Sequence, residues 1–167
     1  MQLIHLPRAG SILLCFLVWP VLQIAAAVFC LYLPDRFFSP DSFWFRTRPF
    51  ENGGTLYESL FHISRWKRLL PDGAALCKKR GYPKKTLRDF SPQNLQRFLV
   101  ETCRGELTHW LAIFPFWVFV FFTPPGVVWI MFGYALLVNL PCIFAQRYNR
   151  PRIMHLLSRK VSQNYKK

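Results

Sequence analysis

The sequence predicts an all-α integral membrane protein of about three membrane helices. One is an N-terminal span. The other two form a C-terminal helical hairpin, joined to the first by a basic loop that carries an amphipathic interfacial helix. Three observations predict it. Two stretches, 10–33 and 110–145, contain no charged residue at all, and either exceeds the ~18 apolar residues that mark a transmembrane candidate. Charge is confined to the segments between and after them. Finally, Pro124-Pro125-Gly126 divides the second stretch and forces a turn.

Hydrophobic residues make up 52% of the 167 and aromatics 17%, yet the formal net charge is +14. That mixture does not suit an ordinary soluble domain of this size. Two uncharged blocks in so short a chain leave little surface to cover them. All eight acidic residues lie in the loop between Asp35 and Glu106, where fourteen Lys and Arg outnumber them. Seven more basic residues and no acid follow from Arg147, while only Arg8 precedes the first block. The positive-inside rule therefore predicts a multi-pass membrane protein with the loop and C-terminus cytoplasmic and the N-terminus outside. Anionic lipid headgroups are the expected partners of the basic excess. Nucleic acid is not, because the cations flank the spans and no nucleic-acid motif is present. Five cysteines without CxxC spacing give neither a disulfide framework nor a zinc site, and no metal is expected.

Taken in order, the chain reads as a single membrane domain, 1–167. Residues 10–33 form the first span, bent near Pro20. Ala25-Ala26-Ala27 looks like a signal-peptide cleavage region, but the apolar run is too long and its flank too weakly basic, so the helix is read as retained. Residues 34–108 form the cytoplasmic, interfacial loop. Its aromatic stretch 37–50, broken by Pro40 and Pro49, suits the headgroup level. After the Asn52-Gly53-Gly54 turn, Leu56, Leu60, Ile63 and Lys67 recur at helical spacing. They predict an amphipathic helix over 55–70 with a basic end, either in the membrane plane or packed on the protein. Pro71-Asp72-Gly73 ends it, and Lys78-Lys79-Arg80 with Lys84-Lys85 form a solvated or headgroup-facing run. Ser91-Pro92 is a helix start, Ser as N-cap and Pro at the first helical position. From there a helix leads into the hairpin, 109–123 and 127–145. The first arm spans about 22 Å at 1.5 Å per residue against ~30 Å of hydrocarbon, so it draws its cytoplasmic end toward the lipid. Residues 146–167 are a basic cytoplasmic tail.

Chemistry concentrates at two places. Glu106 and His109 are three apart and share a helix face. Glu101 lies about 80° from His109 at ~100° per residue, and Arg104 at the edge of that side. An imidazole held by a carboxylate at a semi-dry boundary is a candidate general base; the plain alternative is an Arg97–Glu101–Arg104 helix lattice. The second place is Asn139, Gln146, Arg147, Asn149 and Arg150. Arginines interleaved with amides at a helix exit suit a phosphate or carboxylate group, the alternative being a basic stop signal. No G-x-S-x-G, P-loop or H-E-x-x-H occurs. No His is followed by the Asp of glycerol-phosphate-type acyltransferases, since Lys67, Phe114 and Lys160 stand five residues after His62, His109 and His155.

Together, Leu33-Pro-Asp-Arg-Phe37, Ser64-Arg-Trp-Lys-Arg68 with Asp72-Gly73, Glu101-Thr-Cys-Arg-Gly-Glu-Leu-Thr-His-Trp110, Asn139-Leu-Pro141 and Gln146-Arg-Tyr-Asn-Arg-Pro-Arg152 resemble one family. It is the glycosyl-4,4'-diaponeurosporenoate acyltransferases of staphyloxanthin-type carotenoid synthesis, and the pieces occur in its order over 33–152. The resemblance implies esterification of a sugar hydroxyl on a membrane-bound glycosyl carotenoid, or on another glycolipid, by a fatty acyl chain. No cofactor is implied, only an acyl-coenzyme A or acyl-carrier-protein donor as co-substrate. On that basis His109 deprotonates the hydroxyl and Glu106 or Glu101 orients it. Arg104 and Arg147 offset charge on the donor, Asn139 and Gln146 bond the sugar or oxyanion, and Trp66 and Lys67 dock the loop helix. Three helices are thin cover for a site, so a homo-oligomer is expected. A non-catalytic scaffold or lipid-binding subunit, or a small methyltransferase, is the competing class.

Overall fold

A computed structural model describes residue 4, 6–70 and 89–164. Among the described residues every regular element is helical. The chain divides into two compact units, one comprising Met1–Tyr32 and Leu107–Pro141, the other Leu33–Glu106 and Cys142–Lys167. The expected turn at Pro71-Asp72-Gly73, the runs Lys78-Lys79-Arg80 and Lys84-Lys85, and Cys77 lie outside the described residues.

The first unit begins with α1 (Arg8–Tyr32), 25 residues with Pro20 inside it. At 1.5 Å per residue it is about 37 Å long, enough to cross a bilayer. Ile12, Leu13, Phe16, Leu17, Val21 and Ile24 are all more than half exposed. Trp19, Ala26 and Cys30 are buried. Trp19 meets Phe119 and Tyr134 at ring separations of 5.8 and 5.3 Å, and Gln23 Nε2 donates to the Ala112 carbonyl at 3.0 Å. An outward apolar stripe this large needs lipid or a partner to cover it.

The expected hairpin arm 109–123 is not a regular α-helix. α4 (Pro92–Ile113) stops, and a 3-10 helix takes over from Phe114 to Phe121. Pro115 has no N–H to bond the carbonyl four residues back, which ends the α ladder. The 3-10 helix has three residues per turn, and the phenylalanines are spaced to match. Phe119 and Phe122 are buried and Phe116 packs on Phe132 at 4.5 Å, while Phe114 and Trp117 face out. The chain turns at Pro124 and α5 (Pro125–Asn164) begins. Among the described residues two helices are long and apolar enough to cross a membrane, Arg8–Tyr32 and the apolar part of Pro125–Gln163. The short arm does not qualify.

In the second unit, the expected single helix over 55–70 is broken. α2 (Thr55–Phe61) and α3 (Ile63–Trp66) are separated by His62, which sits in the left-handed region at φ 50°, ψ 46°. A 3-10 turn over Lys67–Leu69 follows. Glu58 bridges the break by accepting from the Ser64 amide at 3.0 Å and the Ser64 hydroxyl at 2.6 Å. It satisfies a donor that a new helix start leaves open. α4 starts where Ser91-Pro92 predicts, and the Ser91 hydroxyl accepts from the Asn94 amide at 3.4 Å.

α5 does not end near 145. It runs on through Pro141 and Pro151 to Asn164. The reason is apolar packing hidden among the cations of the tail. Ile153, with Met154 and Leu157, closes on Leu95, Phe98 and Leu99 of α4. Beside it, Tyr148 packs with Tyr57 and Ile63, and Trp66 and Phe144 flank them. Gly54, at φ 87°, lies so close to α5 that a Cβ there would stand 3.1 Å from Pro151 Cγ and 3.2 Å from the Tyr148 carbonyl.

Candidate active site

The second unit holds a lattice of buried charge built on three elements. α4 supplies Glu106, α5 supplies Arg147 and Arg150, and the loop before α2 supplies Glu51, each spaced so that its side chain turns inward. Glu106 and Glu51 are each 1% exposed. Arg147 Nε donates to Glu106 at 2.7 Å and its Nη1 to Glu51 at 2.7 Å, while Nη2 reaches the Trp44 carbonyl at 3.2 Å. Arg150 Nη2 donates to the second Glu106 oxygen at 2.6 Å, Nη1 to the Phe45 carbonyl at 2.6 Å and Nε to the Thr102 hydroxyl at 3.3 Å. The planar guanidinium suits this fork-like recognition of carboxylates. Glu51 also accepts from the Tyr57 hydroxyl and from the Arg48 amide.

Such burial is tolerable because every charge has an opposite. Burial raises the Glu51 carboxyl, but hydrogen bonds from Tyr57, the Arg48 amide and Arg147 outweigh it and hold the group below the usual carboxylate range. Burial and the adjacent carboxylate push the Tyr57 phenol well above its ordinary value, so it remains a donor. Arg104 makes a separate group. It pairs with Asp35, approaches Glu101 at 3.4 Å, donates to the Leu33 carbonyl at 3.1 Å and lies over the Phe38 ring.

In the first unit, His109 projects from the end of α4 and Asn139 from α5. His109 Nδ1 stands 2.9 Å from Asn139 Oδ1, and Asn139 Nδ2 donates to the Ala135 carbonyl at 3.0 Å. Asn139 is 1% exposed and the imidazole is half-buried.

The structure thus gathers Glu106, Arg147 and Arg150, and separately His109 with Asn139. The carboxylate expected to orient the imidazole is held by arginines, and the partner shown for the ring is an amide. Asn149 accepts from Lys67 Nζ at 3.0 Å, and that ammonium lies over the Tyr148 ring. Burial first, then the nearby Arg152, lowers the Lys67 pKa. Trp66 donates to the Phe61 carbonyl at 2.7 Å, and Gln146 is half-buried on α5. Glu51, Tyr57 and Thr102 escaped the sequence reading. Their one signal is an acid beside Asn-Gly-Gly, where Asn52, Gly53 and Gly54 take three successive positive φ values and turn the loop back on the helices. Among the described residues no group of three His, Cys, Asp or Glu could hold a metal ion.

Described residues whose regular elements are all helical, with two outward-facing apolar helices, a buried arginine–glutamate lattice and an imidazole paired with a buried amide, define a class. It is a helical protein of membrane type with paired ionisable groups in its interior, where a charge is tolerated only with a partner. Comparison with known proteins specifies the class. The sequence profile of the glycosyl-4,4'-diaponeurosporenoate acyltransferases matches residues 41–159. Relatives of that name from Staphylococcus aureus strains MRSA252, bovine RF122 / ET3-1 and USA300 are each 33% identical over 144 residues, 86% of this chain and 86% of theirs. The chain belongs to the glycosyl-4,4'-diaponeurosporenoate acyltransferase family, and it is an acyltransferase. No solved structure matches it.

Proposed function

We propose that this protein transfers a fatty acyl chain from a thioester donor to a sugar hydroxyl of a glycosylated carotenoid at the cytoplasmic boundary of a bacterial membrane. The observation that carries the reading is the family match across 41–159, which takes in α4, the polar loop and nearly all of α5. Acceptor and acyl chain are both lipids, which fits a chain with two outward-facing apolar helices. The N-terminus lies outside; the loop and C-terminus lie in the cytoplasm, where the donor, acyl-coenzyme A or acyl-carrier protein, is available.

His109 is the general base. It takes the proton of the sugar hydroxyl as the oxygen attacks the thioester carbonyl. Collapse of the tetrahedral intermediate breaks the C–S bond, and the leaving thiolate recovers that proton from the imidazolium. Arg147 and Arg150 are engaged with Glu51 and Glu106. They hold the loop and α5 together, leaving Lys67 and Asn149 as the pair to meet a donor phosphate or headgroup. A homo-oligomer would complete the cover around so few helices.

The test is expression in cells that make the glycosyl carotenoid but lack an acyltransferase, followed by mass spectrometry of lipid extracts. The wild-type protein should add one fatty acyl group. His109→Ala should remove that product while the protein stays in the membrane fraction. An unacylated pigment in cells carrying membrane-inserted wild-type protein sinks the reaction; full product from His109→Ala sinks the assignment of the base.

A further inference from the structure

We infer that Asn139 is a positioning residue that fixes His109 as its Nδ1–H tautomer and so makes Nε2 the basic nitrogen. This rests on the reading of His109 as general base, and it replaces substrate contact as the role of Asn139.

The two ends of the Asn139 amide are assigned by chemistry. The Ala135 carbonyl oxygen, 3.0 Å from one end, can only accept a hydrogen bond. The amide atom facing it is therefore the NH2. The other end, facing the imidazole at 2.9 Å, is then the amide oxygen, which also can only accept. His109 Nδ1 must supply the hydrogen. A neutral imidazole carries one N–H, so Nε2 holds the lone pair. Turning the amide over would set two oxygens against each other at Ala135 and lose that bond.

Burial makes the assignment firm. At 1% exposure, water does not compete for Asn139, and an amide buried without partners costs several kcal/mol in apolar surroundings. Asn139 is also the only amide side chain in the uncharged stretch 110–145. A residue kept there against that cost has both its amide groups committed, one to its own helix and one to the ring. A base whose tautomer is preset loses no time or energy to proton rearrangement when the hydroxyl arrives, as in any orienter–base–nucleophile arrangement.

The test is nitrogen NMR of the purified full chain in lipid nanodiscs, with 15N-labelled histidine and His109 assigned by difference from His109→Gln. Under conditions where the ring is neutral, Nδ1 should carry the proton and Nε2 none. Asn139→Leu, which offers no acceptor, should lose this preference. Asn139→Asp, which keeps one, should retain it. In turnover, Asn139→Leu should lower kcat by roughly a hundredfold, the scale of general-base catalysis, with KM for the glycosyl acceptor little changed, and Asn139→Asp should recover much of that loss. An Nε2–H ring in the wild type, or an unchanged ring in Asn139→Leu, overturns the inference. The spectrum is read without substrate. A failure of His109 as base would show instead as activity in His109→Ala, leaving the tautomer result standing.

Discussion

Replacing Arg147 by Ala removes the guanidinium that joins two buried carboxylates. Each is 1% exposed, and each receives a 2.7 Å bond from that side chain. Breaking a buried ion pair by deleting one partner costs about 3–5 kcal/mol, because the remaining charge is stranded. Here neither glutamate is stranded outright. Glu106 keeps Arg150, and Glu51 keeps Tyr57 and the Arg48 amide. The expected loss is therefore near the lower bound, about 3 kcal/mol, still a large share of the ~5–15 kcal/mol that holds a typical domain. At about 2–4 °C per kcal/mol for chains of this size, the apparent melting temperature in detergent should fall by roughly 6–12 °C. Arg147→Lys should fall between, since an ammonium cannot reproduce the fork that reaches both acids. The paired change Glu51→Gln with Arg147→Met removes both charges of one bridge and should cost less than its single changes added together. Thermal unfolding followed by tryptophan fluorescence measures all five variants, the two single changes of the pair included. A shift below about 2 °C for Arg147→Ala, or strict additivity of the pair, would refute the lattice as a source of stability.

Two further outcomes follow from local chemistry. The Glu51 carboxyl is held below its ordinary value, so its contribution is complete above the unfolded-state pKa of about 4.3 and fades as pH falls from there through the lower folded-state value. Stability should therefore drop on acidification below about pH 5, less steeply in Glu51→Gln, and identical acid limbs in melting curves would count against it. Gly54→Ala places a Cβ at φ 87° within 3.1–3.3 Å of Pro151, Tyr148 and Arg152, and should cost about 1–3 kcal/mol of strain. Gly53→Ala is the control, since its Cβ would meet nothing within 4 Å; equal melting temperatures for the two would refute the close approach.

Much of the architecture was legible because it rests on local signals. An uncharged 24-residue run is α1, Ser91-Pro92 opens α4, and Pro124-Pro125 opens α5. What was not legible depends on partners distant in sequence. The break at His62 is stabilised by Glu58 reaching Ser64, which apolar periodicity does not register. The continuation of α5 depends on Ile153 finding Leu95 and Phe98, a pairing masked by a tail that reads as a string of cations. Helical spacing groups Glu106 with His109 on one face. That spacing holds, but rotation about one helix cannot reveal that arginines 41 and 44 residues further on meet Glu106.

The same lattice bears on how the basic composition is distributed. Among the described residues three acids, Glu51, Glu101 and Glu106, are buried, and Arg104 and Arg150 are buried with them while Arg147 is nearly so. Removing these six leaves nineteen cations against five acids in the rest of the chain. The net charge is unchanged, but the ratio rises from under three to nearly four. A membrane surface responds to the charge left outside ion pairs, because paired groups present little field beyond a Debye length of about 8 Å. Pairing these six groups inside the second unit therefore leaves the whole positive excess on the residues outside the lattice, free to meet lipid headgroups. The proposed cytoplasmic placement of the loop and tail therefore still rests on the Lys and Arg count on either side of the spans, which the lattice does not raise.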